Sequence, residues 1–100
     1  MGMDVYLYVL EDGWIVNKQW LGMSSTWDKI DSIKDSLVAI FVEDGFECYE
    51  LREPEKLVKL IESEGNDKFG YADALENFEL CELLSETGCK YCKYEIIVEY

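Results

Sequence analysis

Two stretches near the start of the chain are rich in β-branched and aromatic residues, the second with partial alternation of apolar and polar positions, and an Asp-Gly step separates them. The first reads VYLYVL from Val5 to Leu10, and the second reads WIVNKQWL from Trp14 to Leu21. Such runs around Asp-Gly are a strong short-range sign of a β-hairpin, because a type I′ turn needs φ > 0 at both central residues. The pattern therefore predicts a hairpin with Asp12 and Gly13 at the turn.

The register of this hairpin predicts which of its faces is buried. A two-residue turn would pair Glu11 with Trp14, Val9 with Val16, and Val5 with Trp20. One face then holds Val5, Leu7, Val9, Trp14, Val16 and Trp20, and the other holds Tyr6, Tyr8, Leu10, Ile15, Asn17 and Gln19. The first set is more apolar, so we expect it to face the core.

A short helix and a second hairpin are predicted next. Trp27, Ile30 and Leu37 recur at helical spacing, and Ser25 with Asp28 offers a capping box, which predicts a helix from about Trp27 to Asp35. The runs LVAIFV and FECYEL then flank Asp44-Gly45, which predicts another type I′ hairpin. Its expected pairs are Val42 with Glu47, Ile40 with Tyr49, and Val38 with Leu51.

The second half of the chain predicts two helices and one strand. Pro54 suits the first position of the helix PEKLVKLIESE, and Gly65 suits its end. The stretch YADALENFELCELLSE, residues 71–86, is the longest helical pattern. The final stretch KYCKYEIIVEY alternates apolar and charged residues, which is typical of a half-buried strand running to Tyr100.

These elements predict a single compact domain, residues 1–100, of the α+β class in the order ββα-ββα-α-β. We expect a mostly antiparallel sheet of about five strands, built from two β-hairpins and a C-terminal strand and covered by two to three helices. The tetrad Glu-Asp-Gly-aromatic occurs in both hairpins. Internal duplication and the chance recurrence of a common turn in an acidic chain both explain it.

Charge excludes several functions. The chain has 22 Asp and Glu against 9 Lys and Arg, a net charge of -13, and its one arginine is Arg52. Binding to nucleic acid or to an anionic membrane needs clustered basic residues, so we expect neither. No apolar run approaches the roughly 18 residues of a membrane span, and the N-terminus lacks the basic region of a signal peptide. We expect a cytoplasmic protein.

The helix predicted over residues 71–86 carries carboxylates without any compensating cation. Like charges three or four residues apart cost an isolated helix roughly 0.2 to 0.5 kcal/mol per pair, so this row either forms a plain solvated face or is retained for a basic partner. The second hairpin extends the acidic surface. The predicted partner-binding residues are Asp73, Glu76, Glu79, Glu82, Glu86, Glu43, Asp44, Glu47 and Glu50.

Four cysteines leave several hypotheses open: Cys48, Cys81, Cys89 and Cys92. The pair in GCKYC has zinc-ligand spacing, and the other two thiols would complete a set of four, although they are isolated in a predicted strand and helix. A disulfide from Cys81 to Cys89 or Cys92 is a further alternative. We favour core thiols for Cys48 and Cys81, and expect no metal.

Catalysis is not expected. The chain has no histidine, no phosphate-binding glycine-rich loop and no serine nucleophile motif, and both Glu-Asp-Gly units are explained as turns. No catalytic residue and no cofactor is predicted.

The composition therefore favours a small, non-enzymatic binding protein that inhibits or sequesters a basic protein, with nucleic-acid-processing proteins as natural targets and DNA mimicry as one mode. Phage-encoded inhibitors and immunity proteins share the profile of short length, strong acidity and no active site. The alternatives are a self-associating structural or regulatory module, a homodimer through the aromatic hairpin face or an edge strand ending at Tyr100, and a small zinc-stabilised domain.

Overall fold

A computed structural model of the chain describes residues 2–64 and 92–100. The described elements form an antiparallel sheet of five strands and two α-helices, which confirms the α+β class. They are β1 (Asp4–Glu11), β2 (Trp14–Gly22), α1 (Ser24–Ile30), a 3₁₀ segment (Asp31–Ser36), β3 (Leu37–Glu43), β4 (Phe46–Leu51), α2 (Pro54–Glu64) and β5 (Cys92–Glu99). The helix predicted over residues 71–86 lies outside the described residues.

The strand order is β2-β1-β5-β4-β3, so the last strand of the chain lies at the centre of the sheet. It pairs antiparallel with β1 on one side and with β4 on the other. The expectation that the strand ending at Tyr100 is an edge strand is therefore wrong. Among the described strands, the edges are β2 and β3.

Both turns contain two residues, as predicted, but their backbone conformations differ. Asp12 and Gly13 have φ of 52° and 84°, which fits the type I′ turn. In the second hairpin only Gly45, at φ 88°, is in the left-handed region, so Asp44-Gly45 does not form a type I′ turn. Each hairpin forms the residue pair that flanks its turn, Glu11–Trp14 in the first and Glu43–Phe46 in the second.

The predicted register of the first hairpin is wrong beyond Ile15, because β2 contains two irregularities. Val9 lies opposite Asn17 rather than Val16, and Trp20 lies opposite Tyr6 rather than Val5. Each extra residue shifts the following side chains to the other face. Val16, at the first irregularity, is consequently exposed instead of a core residue, and Leu21 is buried. Trp14 keeps its predicted pair with Glu11, but it is 78% exposed at the tip of the hairpin, so its expected place in the core is wrong as well.

The second hairpin shows the same effect. Val42 pairs with Glu47 as predicted, but the register shifts at Ile40, so that Ala39 pairs with Tyr49 and Leu37 with Leu51. The bulge leaves β3 irregular along its outer edge, a common way in which proteins protect an edge strand from pairing with another chain. Four large apolar side chains of β3 are nevertheless exposed: Val38, Ile40, Phe41 and Val42.

Both described helices pack on one face of the sheet, which we call the first face. Side chains from β1, β4 and β5 meet side chains from α1 and α2 there, and burial of each large aliphatic group contributes roughly 1.5 to 3 kcal/mol. The fully buried core residues include Val5, Leu7, Val9, Leu21, Ile30, Leu57, Ile61, Ile96 and Val98. The predicted core face of β1 is confirmed.

The segment between the hairpins crosses beneath the sheet from the β2 edge to the β3 edge. Four interstrand spacings are about 19 Å. A seven-residue α-helix followed by six residues of 3₁₀ helix spans about 22 Å, because the 3₁₀ rise is about 2.0 Å per residue. The helix begins at Ser24 rather than near Trp27, and its N-cap residue Met23 provides no side-chain hydrogen bond, so the predicted Ser25–Asp28 capping box is wrong.

The second helix begins at Pro54, as predicted. Leu57 and Ile61 are buried against the sheet, one helical turn apart. At its start Lys56 Nζ lies 2.5 Å from Glu53 Oε2, and the two side chains are 44% and 46% exposed.

The two hairpins do not have equivalent places in the sheet. In the first hairpin the leading strand, β1, contacts the central strand, whereas in the second the trailing strand, β4, does. If the two hairpins were copies of one unit with the same connectivity, the same strand of each hairpin, either the leading or the trailing one, would be expected to contact the central strand. The arrangement thus favours chance recurrence of the turn over duplication.

Candidate functional site

The face of the sheet opposite the first face, which we call the second face, combines carboxylates with aromatic rings. Alternation along each strand, counted from the buried core positions, assigns its residues. They are Asp4, Tyr6, Tyr8, Leu10, Ile15, Lys18, Trp20, Val38, Phe41, Glu43, Phe46, Cys48, Glu50, Lys93, Glu95, Ile97 and Glu99. Its centre is buried, with Ile97 only 2% exposed, and its margins carry the exposed groups.

Two pairs of like charges lie directly opposite each other on this face. Asp4 of β1 pairs with Glu99 of β5, and Glu50 of β4 pairs with Glu95 of β5. Directly opposed like charges destabilise a sheet. We take the cost of each pair to be similar in size to the roughly 0.2 to 1 kcal/mol that favourable cross-strand pairs contribute. Arg52 offsets part of this cost at one pair, with its guanidinium 4.0 Å from Glu50 Oε2.

Aromatic rings lie between and beside these carboxylates. Tyr6 and Tyr8 have ring centroids 6.4 Å apart, and Phe41 and Phe46 have centroids 5.9 Å apart. Lys18 Nζ lies 5.2 Å from the centroid of the Tyr8 ring, within the range of a cation–π contact. The second face therefore already holds one cation over an aromatic ring.

The tyrosines of this face lie in a negative electrostatic field. Burial raises the pKa of Tyr6 above its ordinary value of 10.0, and the charges of Asp4 and Glu99 raise it further. Burial likewise raises the pKa of Tyr8, with a smaller contribution from Glu99. Both effects penalise a phenolate, so both side chains keep neutral hydroxyls at physiological pH.

Cys48 lies in the buried centre of the second face, 8% exposed, opposite Ile97. Burial, and after it the charge of Glu95 and a hydrogen bond from the thiol to that carboxylate, raises the pKa of Cys48 to about 11. A thiol with so high a pKa is a poor nucleophile at pH 7, because the thiolate is the reactive form. The placement fits the expected core thiol.

The predicted acidic residues of the second hairpin do not share one surface. Glu43 and Asp44 are exposed at the hairpin tip, and Glu50 lies on the second face. Glu47 instead lies on the first-face side, where its carboxylate accepts hydrogen bonds from the hydroxyls of Tyr49 and, at 2.6 Å, Tyr100. Burial and the Glu47 hydrogen bond raise the pKa of Tyr49 to about 12. Glu47 thus has structural partners within the chain.

The remaining predicted partner-binding residues lie outside the described residues: Asp73, Glu76, Glu79, Glu82 and Glu86. Asp4, Glu95 and Glu99 were not predicted as site residues. Asp4 and Glu99 are 95 positions apart in sequence and become neighbours only because β5 pairs with β1, whereas Glu95 meets Glu50 because β5 also pairs with β4. The alternation of Glu95 and Glu99 with apolar residues was the only sequence signal for them.

The described cysteines are far apart. Cys48 lies opposite Ile97 on the second face, whereas Cys92 is five residues before Ile97 on β5 and has first-face parity. Five residues of strand span about 17 Å, whereas two thiolates on one zinc ion lie within about 4.6 Å of each other. Cys81 and Cys89 lie outside the described residues. Within residues 2–64 and 92–100, no group of three or more metal-ligating side chains could hold an ion.

The chain matches no family model, no curated protein and no solved structure. In the part of the chain that the structure describes, no helix has both the length and the apolar character needed to cross a membrane. Function must therefore be inferred from the chain's own residues.

Proposed function

We propose that this protein is a small, acidic, non-enzymatic binding protein that inhibits or sequesters a basic protein partner through its carboxylates. The observation that carries the proposal is the pair of like-charge contacts on the second face, Asp4 with Glu99 and Glu50 with Glu95. A sheet selected for stability alone would have a lysine at one position of each pair. Cations of a partner would relieve the repulsion, so binding and stability make opposite demands on these residues.

The proposed partner class is nucleic-acid-processing proteins. Their binding grooves are positively charged because they neutralise phosphates, and a chain of net charge -13 is attracted to such grooves over a Debye length of about 8 Å at physiological salt. Complementary charge mainly accelerates association and selects the partner. Occupation of the groove would exclude nucleic acid, which makes the protein an inhibitor of the phage-encoded or immunity type and, in this mode, a DNA mimic.

The carboxylates from Asp73 to Glu86 extend this proposal. Spacings of three and four residues with no intervening Lys or Arg make them a second source of negative charge for the same partner. Their contribution is separable by experiment, because they belong to a different segment from the carboxylates of the second face.

Competition with DNA tests the proposal. The immobilised protein is incubated at 50 mM salt with the DNA-binding protein fraction of the source cell, and retained proteins are challenged with duplex DNA. We expect retention of a basic protein that DNA displaces and that elutes when salt is raised. Retention that neither salt nor DNA changes would rule out a charge-based inhibitor of nucleic-acid binding.

Matched variants locate the surface. The double variant Glu50→Gln, Glu99→Gln should weaken retention, whereas Glu55→Gln, Glu62→Gln on exposed positions of α2 changes net charge equally and should weaken it less. The triple variant Glu76→Gln, Glu79→Gln, Glu82→Gln tests the other segment. Equal effects of all variants would indicate general attraction to net charge without a defined surface.

Self-association is a second candidate, favoured by the exposed apolar side chains of the edge strand β3. Val38, Ile40, Phe41 and Val42 are each at least 40% exposed. The bulge at Ile40 opposes continuous strand pairing between two copies. Light scattering across a range of concentrations tests this candidate, and a monomer at the highest concentration would reject it.

A further inference from the structure

One row of side chains across the second face places an aromatic ring between exposed carboxylates. Phe46 of β4 lies opposite Glu43 on β3 and opposite Glu99 on β5, and Glu99 in turn lies opposite Asp4. Neighbouring strands are about 4.8 Å apart, so the two glutamates stand about 10 Å apart with the ring between them. Both glutamates are exposed, at the margin of the face.

The ring of Phe46 is extended by that of Phe41, whose centroid is 5.9 Å away and whose side chain is 47% exposed. An aromatic surface flanked by carboxylates complements a planar cation, because the cation stacks on the ring while its N–H groups reach the carboxylates. Lys18 over Tyr8 shows a cation of this chain in the same type of contact elsewhere on the face.

The first hairpin offers a contrast within the same chain. Its tetrad has the same residue types, but Glu11 lies between Trp14 and Cys92, so the aromatic ring stands at the edge with one carboxylate neighbour. The two Glu-Asp-Gly-aromatic units therefore present different surfaces. Only the second places its ring between two exposed carboxylates.

We propose that the row formed by Glu43, Phe46 and Glu99, with Phe41 beside it, binds an arginine side chain of the partner in preference to a lysine. This inference rests on the proposed function and specifies the chemistry of the partner. A guanidinium stacks on an aromatic face and pairs with carboxylates through a planar fork, whereas an ammonium is a compact and strongly hydrated charge. Charge attraction alone would not distinguish the two.

Hexa-arginine and hexa-lysine peptides of equal charge provide the test, with affinities measured by calorimetry at 20 to 50 mM salt. We expect the full chain to bind hexa-arginine about two to five times more tightly than hexa-lysine, the range of exposed cation–π contacts. Phe46→Leu should abolish this preference while leaving the affinity for hexa-lysine unchanged. Phe41→Leu, at a more exposed position, should reduce the preference without disturbing the fold.

Two controls define the outcome. Trp14→Leu, at the equivalent position of the first hairpin, should leave the preference intact, and far-ultraviolet circular dichroism should show that every variant is folded. Equal affinities for the two peptides, with strong salt dependence, would overturn the arginine site while leaving the acidic binding surface. An arginine preference that survives both phenylalanine variants would also overturn it. Absence of binding to either peptide would overturn both proposals.

Discussion

At the scale of single residues, the two turn glycines differ in their surroundings. Gly13 and Gly45 both have positive φ, 84° and 88°. A Cβ at Gly13 would contact nothing within 4 Å, whereas one at Gly45 would lie 3.1 Å from the carbonyl oxygen of Tyr100. The backbone N–H of Tyr100 also donates to the carbonyl of Gly45 at 3.0 Å. The second turn is thus joined to the end of the central strand.

Alanine at the two glycines separates these effects. Gly13→Ala should cost about 1 to 2 kcal/mol of unfolding free energy, the cost of a side chain in the left-handed region. Gly45→Ala should cost about 1 kcal/mol more, because the neighbouring backbone must move. Urea unfolding measures both. Equal losses would show that the contact between Gly45 and Tyr100 does not constrain the turn.

At the scale of elements, bulges decide what each edge strand exposes. The irregularity of β2 between Ile15 and Asn17 turns Trp20 to the second face, where its indole N–H donates to Asp4 Oδ1 at 3.2 Å, and it leaves Val16 55% exposed. The central strand remains regular and brings carboxylates of opposite ends of the sequence together. Strand pairing, rather than any one strand, thus creates the charged surface.

Relief of the like-charge pairs should stabilise the sheet. We expect Glu50→Gln, Glu99→Gln to raise the unfolding free energy by about 0.5 to 1 kcal/mol at low salt, since each substitution removes one directly opposed repulsion. Glu55→Gln, Glu62→Gln is the control for net charge and should raise it less. Urea unfolding at low and high salt provides the measurement. A loss of stability in the first variant would contradict the repulsion on which the proposed function rests.

At the scale of the whole molecule, the fold depends on a strand that arrives last in the sequence. β5 separates the two hairpins and pairs with both, and its buried side chains belong to the core that the helices cover. Ile96 is 0% exposed at the centre of the sheet, whereas Ile40 on the edge strand β3 is 53% exposed. The same residue type therefore occupies opposite environments.

The two isoleucines provide a matched test of this organisation. Ile96→Ala should cost about 2 to 5 kcal/mol, because it removes buried methyl groups and leaves a cavity. Ile40→Ala should change stability by no more than about 0.5 kcal/mol. Thermal and urea unfolding compare them. Similar losses at the two sites would place β5 away from the centre of the cooperative unit.

The local elements of this protein follow largely from its amino-acid sequence. Two-residue turns at Asp-Gly, the start of α2 at Pro54 and the buried alternation of Val5, Leu7 and Val9 follow from short-range chemistry, and they were predicted correctly. The net charge of -13 is likewise a property of the sequence alone, and it is the reason that nucleic acid is not an expected partner.

The strand order, the bulges and the composition of the second face depend instead on how the strands assemble into the sheet. Bulges depend on how twisted strands fit their neighbours, so Val16, Leu21 and Ile40 carried no local signal for them. The row from Glu43 through Phe46 to Glu99 exists because β5 pairs with β4 at one register, and residues 53 positions apart become adjacent. Local propensity cannot encode such a contact, since its free energy arises only when the sheet assembles.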